Sequence, residues 1–297
     1  MSIRYARQEA LWGEEGQRKL AQAHVAVIGA GGLGSPALLY LAGAGVGHIS
    51  LFDDDVVSPS NLHRQVIHTT AAIGTPKTDS AAAAVRALNP EVDITCHGRL
   101  ESATAMKQLR GCDLILDGTD NFDARYLSSW AAHELGIPHV WASILGFDAQ
   151  LSVFWSGHGP VYEDVFPTSP APGEVPSCSQ AGVLGPVVGV VGVDQRVDAR
   201  AMTRDGDHAG TAHRRPPVGR PASTAVQTWY ISARDASTCA AMSAILNRMP
   251  WFSPIGRPNC SRTFAYSTAS SRARSAPSGR AGSPTPSASG GPWPTWT

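Results

Sequence analysis

A glycine-rich loop between a short apolar strand and a helix constrains this chain more than any other feature. Residues 25–28 are fully apolar, as buried parallel strands are, and they lead directly into a G-x-G-x-x-G loop. Its glycines are Gly29, Gly31, Gly32 and Gly34. Such a loop allows a tight turn and lets backbone N–H groups approach a phosphate at the N-terminus of the next helix. It predicts a nucleotide-binding β-α-β unit, with a purely structural glycine turn as the alternative.

Acidic residues follow the next predicted strand and strengthen this interpretation. Residues 48–52 form that strand, which ends in Asp53, Asp54 and Asp55. An acidic residue about 20 positions after the glycine loop, at the tip of the second strand, is placed to hold a ribose hydroxyl. The order of strand, loop, helix, strand and acid therefore favours nucleotide binding.

Apolar runs of strand length alternate with helical segments up to Gly192. The predicted helices include 77–88 and 124–135, and the predicted strands include 92–97, 114–116, 139–142 and 150–155. This alternation predicts an α/β fold with a Rossmann-like, doubly wound and mostly parallel sheet. Residues 1–192 are expected to form one domain.

The composition changes abruptly after Gly192. Residues 1–192 carry 11 Lys and Arg against 19 Asp and Glu, whereas residues 193–297 carry 13 Arg and five Asp, without Lys or Glu. The neutral chain is thus a sum of −8 and +8. The second part is rich in Ser, Pro, Ala, Gly and Arg, and we predict a disordered low-complexity tail. A GC-rich gene translated out of frame would give the same composition, and we keep this as a hypothesis.

Several classes of protein are disfavoured by the sequence. No run of eighteen apolar residues occurs, so no membrane segment is predicted, and the charged residues 1–16 argue for a cytoplasmic protein. The scattered arginines follow no nucleic-acid-binding motif, so no nucleic-acid partner is expected. Five cysteines without a CxxC pair argue against a disulfide scaffold.

Three polar segments favour triphosphate chemistry over hydride transfer. They are residues 60–65, 74–77 and 117–121, and they contribute Arg64, Lys77 and Asp120. Two cations near a phosphate loop can neutralise a triphosphate, and a carboxylate can hold Mg²⁺. Each residue alone has another interpretation, such as a surface ion pair, a solvated helix end or a helix cap. An NAD-dependent oxidoreductase is the competing enzyme class.

Together these motifs resemble those of the MoeB/ThiF family, the bacterial relatives of ubiquitin-activating enzymes. The resemblance covers residues 4–192 and rests on VIGAGGLGSPALLYLAGAGVG, LFDDDVVSPSNLHRQ, ILDGTDNFDARY and PSCSQAGVLGPVVGVVG. It implies that ATP adenylylates the C-terminal Gly-Gly carboxylate of a ubiquitin-like sulfur-carrier protein and that pyrophosphate is released. Molybdenum cofactor and thiamine biosynthesis are pathways of this kind. Residues 1–192 would be a C-terminally incomplete adenylyltransferase domain.

The resemblance also assigns roles to individual residues. It implies that the glycine loop and Asp53 hold phosphate and ribose, and that Asp120 binds Mg²⁺. Arg7 is implied to reach the partner's site in a homodimer. The implied catalytic set is Arg7, Arg64, Lys77, Asp120 and Cys178. The implied ATP-binding set is Gly29, Gly31, Gly32, Gly34, Asp53, Asp55, Ser60, Asn61, Leu62, His63, Arg64, Lys77, Asp120 and Asn121.

Cys178 lies in a Pro/Gly-rich loop where related proteins have a cysteine that forms a thioester or persulfide. A position ahead of a helix N-terminus can lower the pKa of a cysteine, although a loop thiol without a catalytic role is an equally weighted alternative.

The chain departs from the family pattern in two ways. Many family members bind zinc through two CxxC pairs, but Val161 and Asp164 stand where the first pair should be, and Cys239 and Cys260 have the wrong spacing. We therefore predict no zinc. The arginine-rich tail also replaces the strands expected to complete the sheet. A truncated nucleotide-binding remnant with weak or no activity is the corresponding alternative.

Overall fold

A seven-stranded sheet organises the chain, and the computed structural model describes residues 3–171, 173–204 and 228–232. In chain order the strands are β1 (His24–Ile28), β2 (His48–Phe52), β3 (Asp93–His97), β4 (Leu114–Asp117), β5 (His139–Leu145), β6 (Asp148–Phe154) and β7 (Thr228–Ser232). Their order across the sheet is β3-β2-β1-β4-β5-β6-β7. Strands β1 to β5 pair in parallel, whereas β6 and β7 are antiparallel to their neighbours. This confirms the predicted α/β class and the mostly parallel sheet.

Helices cover both faces of the sheet. They are α1 (Ala6–Gln22), α2 (Gly34–Ala44), α3 (Lys77–Leu88), α4 (Ala105–Gln108), α5 (Phe122–Leu135), α6 (Tyr162–Val165), α7 (Cys178–Ala181) and α8 (Gly185–Arg204). Short 3₁₀ turns lie at Ile3–Tyr5, Pro59–Asn61 and Thr70–Ala72. Within the described residues, every helix falls short of the length and apolar character needed to cross a bilayer.

Strand β1 shows why its sequence is apolar throughout. Val25 and Val27 pack in the core that includes α2, α3 and α8, whereas Ala26 and Ile28 pack in the core that includes α4 and α5. Successive side chains of a strand point to opposite faces, so a strand covered on both faces buries all of them.

The order of the strands creates a crevice between β1 and β4. The chain runs from β1 to β2 and β3 on one side and then returns to place β4 on the other side of β1. The loops that follow β1 and β4 therefore diverge at the carboxyl end of the sheet. In open α/β sheets this is the usual place for a ligand.

Helix α8 extends beyond the domain boundary that the composition suggested at residue 192. It continues to Arg204, and the buried side chain of Gln195 donates from Nε2 to the backbone oxygen of Asp117 (2.8 Å). Strand β7, farther along the predicted tail, pairs with β6. The rest of the tail, including Cys239 and Cys260, lies outside the described residues. Its disorder, the domain boundary and the altered reading frame stay predictions.

Candidate functional site

A cavity of about 530 Å³ opens at the carboxyl ends of β1, β2 and β4. It brings together ten of the residues predicted for the site, although they come from six separate segments of the chain. Those ten are Gly29, Gly31, Gly32, Asp53, Asp55, Arg64, Lys77, Asp120, Asn121 and Cys178. A cavity of this size lies within the range that binds small ligands and cofactors.

The glycine loop forms one wall and requires glycine at specific positions. Gly29 has a φ of +97°, and its N–H donates to the backbone oxygen of Phe52 (2.7 Å). A β-carbon on Gly34 would lie 1.9 Å from the backbone oxygen of Gly29, so only glycine lets α2 begin this close to the loop. Gly34 thus shapes the wall without lining the cavity. No side chain caps the first turn of α2, and the N–H of Ser35 donates to the backbone oxygen of Gly31 (2.9 Å). The N–H groups of Gly31 and Gly32, just before the helix, are therefore the ones suited to a phosphate.

Asp53 connects the glycine loop to the loop after β2. Its Oδ2 accepts from the N–H of Ala30 (2.8 Å), and its Oδ1 accepts from the N–H of Asp55 (2.9 Å). Burial raises the pKa of Asp53, and the charge of Lys77 and these two hydrogen bonds act in the opposite direction. Each carboxylate oxygen can accept a further hydrogen bond, so the site can still receive a hydroxyl donor.

Lys77 places a positive charge at the edge of the cavity near β2. It is the first residue of α3, and its side chain is only 7% exposed. Its Nζ donates to Asp55 Oδ2 (2.7 Å), whose own side chain is 69% exposed. Because that carboxylate already faces solvent, the ammonium can exchange it for another anion at little desolvation cost.

Arg64 places a second positive charge over the glycine loop. The stem of its side chain lies beside Gly32, with Cγ 3.6 Å from where a β-carbon would stand. Its Nη1 donates to the backbone oxygen of Ser60 (2.9 Å) and to Nε2 of His63 (2.9 Å). The side chain therefore reaches from the 3₁₀ turn towards the glycine loop.

The residues just before Arg64 shape this turn and do not line the cavity. They are Ser60, Asn61, Leu62 and His63. Asn61 Oδ1 accepts from the N–H of Ser58 (3.0 Å), which fixes the first turn. Arg64 therefore lines the cavity, whereas the four predicted residues before it do not.

The loop after β4 supplies Asp120 and Asn121 from the opposite side. Asp120 is exposed at the cavity, whereas Asn121 caps α5 by accepting from the N–H of Ala124 (2.8 Å). The helix-cap alternative is thus correct for the side-chain oxygen of Asn121. The carboxylate of Asp120 is the one in this loop that faces the cavity.

A buried hydrogen-bond network that the sequence did not reveal supports this loop. Asp117 is fully buried and accepts from His139 Nε2 (3.0 Å), from Thr119 Oγ1 (2.7 Å) and from the N–H of Thr119 (3.0 Å). Burial alone would raise the pKa of Asp117, but the hydrogen bond and charge of His139 and the bonds from Thr119 hold it below its ordinary value. The network fixes the direction in which the chain leaves β4.

Cys178 lines the cavity, but the expected lowering of its pKa is wrong. It begins α7, which has only four residues, and its Sγ lies 3.8 Å from the backbone oxygen of Ile144. Burial raises the pKa of Cys178, and the nearby charge of Asp120 adds to this, while Arg64 and Arg125 act in the opposite direction. The short helix does not overcome desolvation.

Two further buried polar side chains in the cavity wall were not predicted. Gln65 and Arg125 are 4% and 5% exposed and line the cavity. Gln65 directly follows the predicted Arg64 in the sequence HRQ, and Arg125 ends the sequence TDNFDAR, which contains the predicted Asp120 and Asn121. Spacing could have found Arg125, because it lies one helical turn after Asn121.

Arg7 and the two positions that replace the first CxxC pair lie outside the cavity. Arg7 is exposed on α1 and does not line the cavity. Val161 directly precedes α6, and Asp164 lies within this helix. Across the part of the chain that the structure describes, no three His, Cys, Asp or Glu side chains are grouped to hold a metal. The absence of zinc stays a prediction.

Comparison with solved structures supports the fold. An Escherichia coli MccB structure with ATP matches with a TM-score of 0.59 and 20% identity, covering 68% of this chain and 64% of that one. A PaaA structure matches with a TM-score of 0.57 and 21% identity, covering 68% of this chain and 73% of that one. Likeness at this level of identity shows the fold alone.

Comparison with known sequences identifies the family. The adenylyltransferase/sulfurtransferase MoeZ of Mycobacterium tuberculosis, named as probable, is 52% identical over 178 residues, which are 58% of this chain and 45% of that protein. The SAMP-activating enzyme E1 of Haloferax volcanii is 44% identical over 194 residues, which are 65% of this chain and 72% of that protein. The chain spans about half the length of most of the curated relatives it matches, such as Kluyveromyces lactis UBA4, of which 45% is covered. A model of the ThiF family matches residues 5–210, and the chain is therefore a member of the ThiF family.

Proposed function

We propose that this chain adenylylates the C-terminal Gly-Gly carboxylate of a ubiquitin-like sulfur-carrier protein, with ATP as the second substrate and pyrophosphate as a product. The observation that carries the proposal is the cavity itself. One space joins the glycine loop, the cationic side chains of Arg64 and Lys77, and the exposed carboxylate of Asp120. The names of the relatives, adenylyltransferase and activating enzyme, support the same reaction.

The positions of the polar groups suggest how ATP would bind. Asp53 lies at the end of β2, where a ribose hydroxyl can donate to it. The N–H groups of Gly31 and Gly32 would meet the phosphates in this arrangement, and Arg64 and Lys77, which also line the cavity, would neutralise them. On binding, Lys77 would exchange the exposed Asp55 for a phosphate oxygen.

Asp120 is the candidate ligand for Mg²⁺. Its carboxylate faces the cavity, and Mg²⁺ commonly binds one or two carboxylates together with phosphate oxygens and water. Asp120 could therefore supply one carboxylate ligand, with the phosphates and water supplying the others. When bound, Mg²⁺ supplies neutralisation of the triphosphate charge.

The residue types fit the proposed displacement. A carrier carboxylate is already ionised, so no general base is needed when its oxygen attacks the α-phosphorus. The new bond joins this oxygen to phosphorus, and the bond to the bridging oxygen breaks with release of pyrophosphate. Arg64 and Lys77 would reduce the repulsion between the two anions. His68 is not poised for proton transfer, because it is buried and hydrogen bonded to Ala30 and Ser80, and burial lowers its pKa.

Pyrophosphate exchange tests this proposal. Labelled pyrophosphate should enter ATP only in the presence of a carrier protein that ends in Gly-Gly, and removal of the last glycine should abolish the exchange. ATP binding without exchange for any carrier would favour the inactive remnant. Oxidation of NADH instead of exchange would favour the oxidoreductase.

We also propose that the functional unit is a homodimer in which Arg7 reaches the partner's cavity. The exposed position of Arg7, away from its own cavity, supports this arrangement. Mixing an inactive Arg7→Ala protein with an inactive Lys77→Met protein should restore about one quarter of the sites, because half of the dimers are mixed and each has one intact site. No recovery after subunit exchange would contradict a shared site.

A further inference from the structure

Arg125 is a buried cation in the wall of the cavity with incomplete hydrogen bonding. It lies on α5 and is only 5% exposed. Its Nη2 donates to the backbone oxygen of Thr119 (3.2 Å) and to Ser143 Oγ (3.0 Å). Within the described residues its Nε has no hydrogen-bond partner. A buried donor without a partner carries a desolvation cost that a ligand could remove.

The charge of Arg125 is also unbalanced. No carboxylate of the described residues forms an ion pair with it. A guanidinium stays protonated in proteins, so burial cannot be relieved by loss of the proton. The rings of Phe122 and Trp141 lie 4.9 and 5.8 Å from its central carbon and offset part of this cost. An aromatic face cannot supply the two acceptor oxygens that match the guanidinium fork.

Arg125 stands apart from the two cations proposed to bind the triphosphate. Lys77 pairs with Asp55 after β2, and Arg64 lies over the glycine loop after β1. Arg125 contacts the loop after β4 and Ser143 on β5, so it occupies the other end of the cavity. A nucleotide that follows β2 and β1 would leave this end free for a second anionic substrate.

We propose that Arg125 binds the terminal carboxylate of the protein substrate and holds it beside the nucleotide. This inference rests on the proposed function, because that function supplies a carboxylate. The carboxylate would accept from the donors of the guanidinium that Thr119 and Ser143 leave free. A phosphate of ATP is the other anion with matching chemistry, and the experiments separate the two.

The first test measures how pyrophosphate exchange depends on carrier concentration in Arg125→Met, Arg125→Lys and a matched control, Arg110→Met. Arg110 is exposed and does not line the cavity. Arg125→Met should raise the KM for the carrier by about 10- to 100-fold, the range for loss of a hydrogen bond to a charged group. The KM of Arg125→Lys should lie between those of the wild type and Arg125→Met, and the KM of Arg110→Met should equal that of the wild type.

The affinity for a non-hydrolysable ATP analogue distinguishes the two anions. It should be the same in the wild type and in Arg125→Met. An equal loss of ATP affinity would overturn the carboxylate assignment in favour of a phosphate contact. An unchanged KM for the carrier would also overturn it, since Arg125 would then be structural.

A second test needs no turnover. With the ATP analogue bound, glycylglycine should raise the melting temperature of the wild type in a saturable way, whereas glycylglycinamide, which lacks the carboxylate, should not. Arg125→Met should lose this response and keep the response to the analogue. A shift that persists in Arg125→Met, or no difference between the two dipeptides, would overturn the inference. A carboxylate-specific response without exchange for any carrier would refute the proposed function and leave the assignment of Arg125 standing.

Discussion

The contact between Gly34 and Gly29 gives the sharpest test of how the loop is built. A β-carbon at position 34 would stand 1.9 Å from the backbone oxygen of Gly29, whereas ordinary contacts begin at 3.4 Å. Gly34→Ala therefore forces a displacement of about 1.5 Å between the loop and the start of α2. The obstacle is backbone, so no side-chain rotation can relieve it.

The expected effect is large and has a matched control in the same helix. Overpacking of this kind costs about 3 kcal/mol, and at roughly 2–4 °C per kcal/mol Gly34→Ala should lower the melting temperature by about 6–12 °C. Gly43 lies in α2 and is exposed, and a β-carbon there meets nothing within 4 Å. Gly43→Ala should instead stabilise the protein by up to about 1 kcal/mol, because alanine favours a helix.

Thermal unfolding followed by circular dichroism measures both changes, and calorimetric titration with an ATP analogue measures binding. Gly34→Ala should also weaken binding, because the displaced loop carries the N–H groups of Gly31 and Gly32 that are proposed to meet the phosphates. The reasoning fails if Gly34→Ala melts at or above the wild type, or if it binds the analogue with full affinity.

Three further predictions concern charged and nucleophilic groups. Lys77→Met should weaken ATP binding by about 10-fold or more in calorimetry. Lys107→Met, at an exposed position on α4, should leave the affinity for ATP unchanged. Equal losses of affinity in the two variants would contradict the role of Lys77 in binding ATP. Because the pKa of Asp117 is held below its ordinary value, its carboxylate stabilises the fold above about pH 4 and loses this effect as the pH falls further. Asp117→Asn should therefore cost about 1.5–3 kcal/mol in urea denaturation at pH 7, the value of a hydrogen bond to a charged group. It should also lose less stability than the wild type on acidification, and an acid limb parallel to that of the wild type would refute this. Because the pKa of Cys178 is raised, iodoacetamide should modify it slowly at neutral pH, faster as the pH rises, and more slowly with an ATP analogue present. Burial raises the pKa of Cys112 to about 12, so it should stay unmodified in the same mass spectra. Rapid labelling of Cys178 at pH 7 would contradict the burial of its thiol.

The parts of the site that depend on local sequence could be predicted. The apolar strands, the glycine loop and the start of α3 at Lys77 follow from patterns within a few residues, and all are present. Arg64 and Asp120 were found because each lies in a short polar motif. Which neighbours face the cavity could not be predicted, since the direction of Ser60 to His63 depends on how the 3₁₀ turn closes.

The interactions between distant segments could not be predicted. Arg125 is hydrogen bonded to Ser143, and Asp117 is hydrogen bonded to His139. Both partners lie on β5, so each contact depends on where a distant segment of the chain is placed. A single arginine in an amphipathic helix is usually solvated, which made Arg125 inconspicuous. The raised pKa of Cys178 has the same origin, because its burial comes from Ile144 on β5 as well as from its own loop.

The hydrogen bond from Gln195 to Asp117 has a consequence for the order of events during synthesis. The two residues are 78 positions apart, so at about 5–20 residues per second the ribosome needs roughly 4–16 s to add α8 after β4 has been made. Until then the carbonyl at the end of β4 lacks its partner, and the wall that α8 contributes to the cavity is missing. The nascent chain should therefore acquire nucleotide binding late, in a single step when α8 docks, although the glycine loop is among the first segments to be translated.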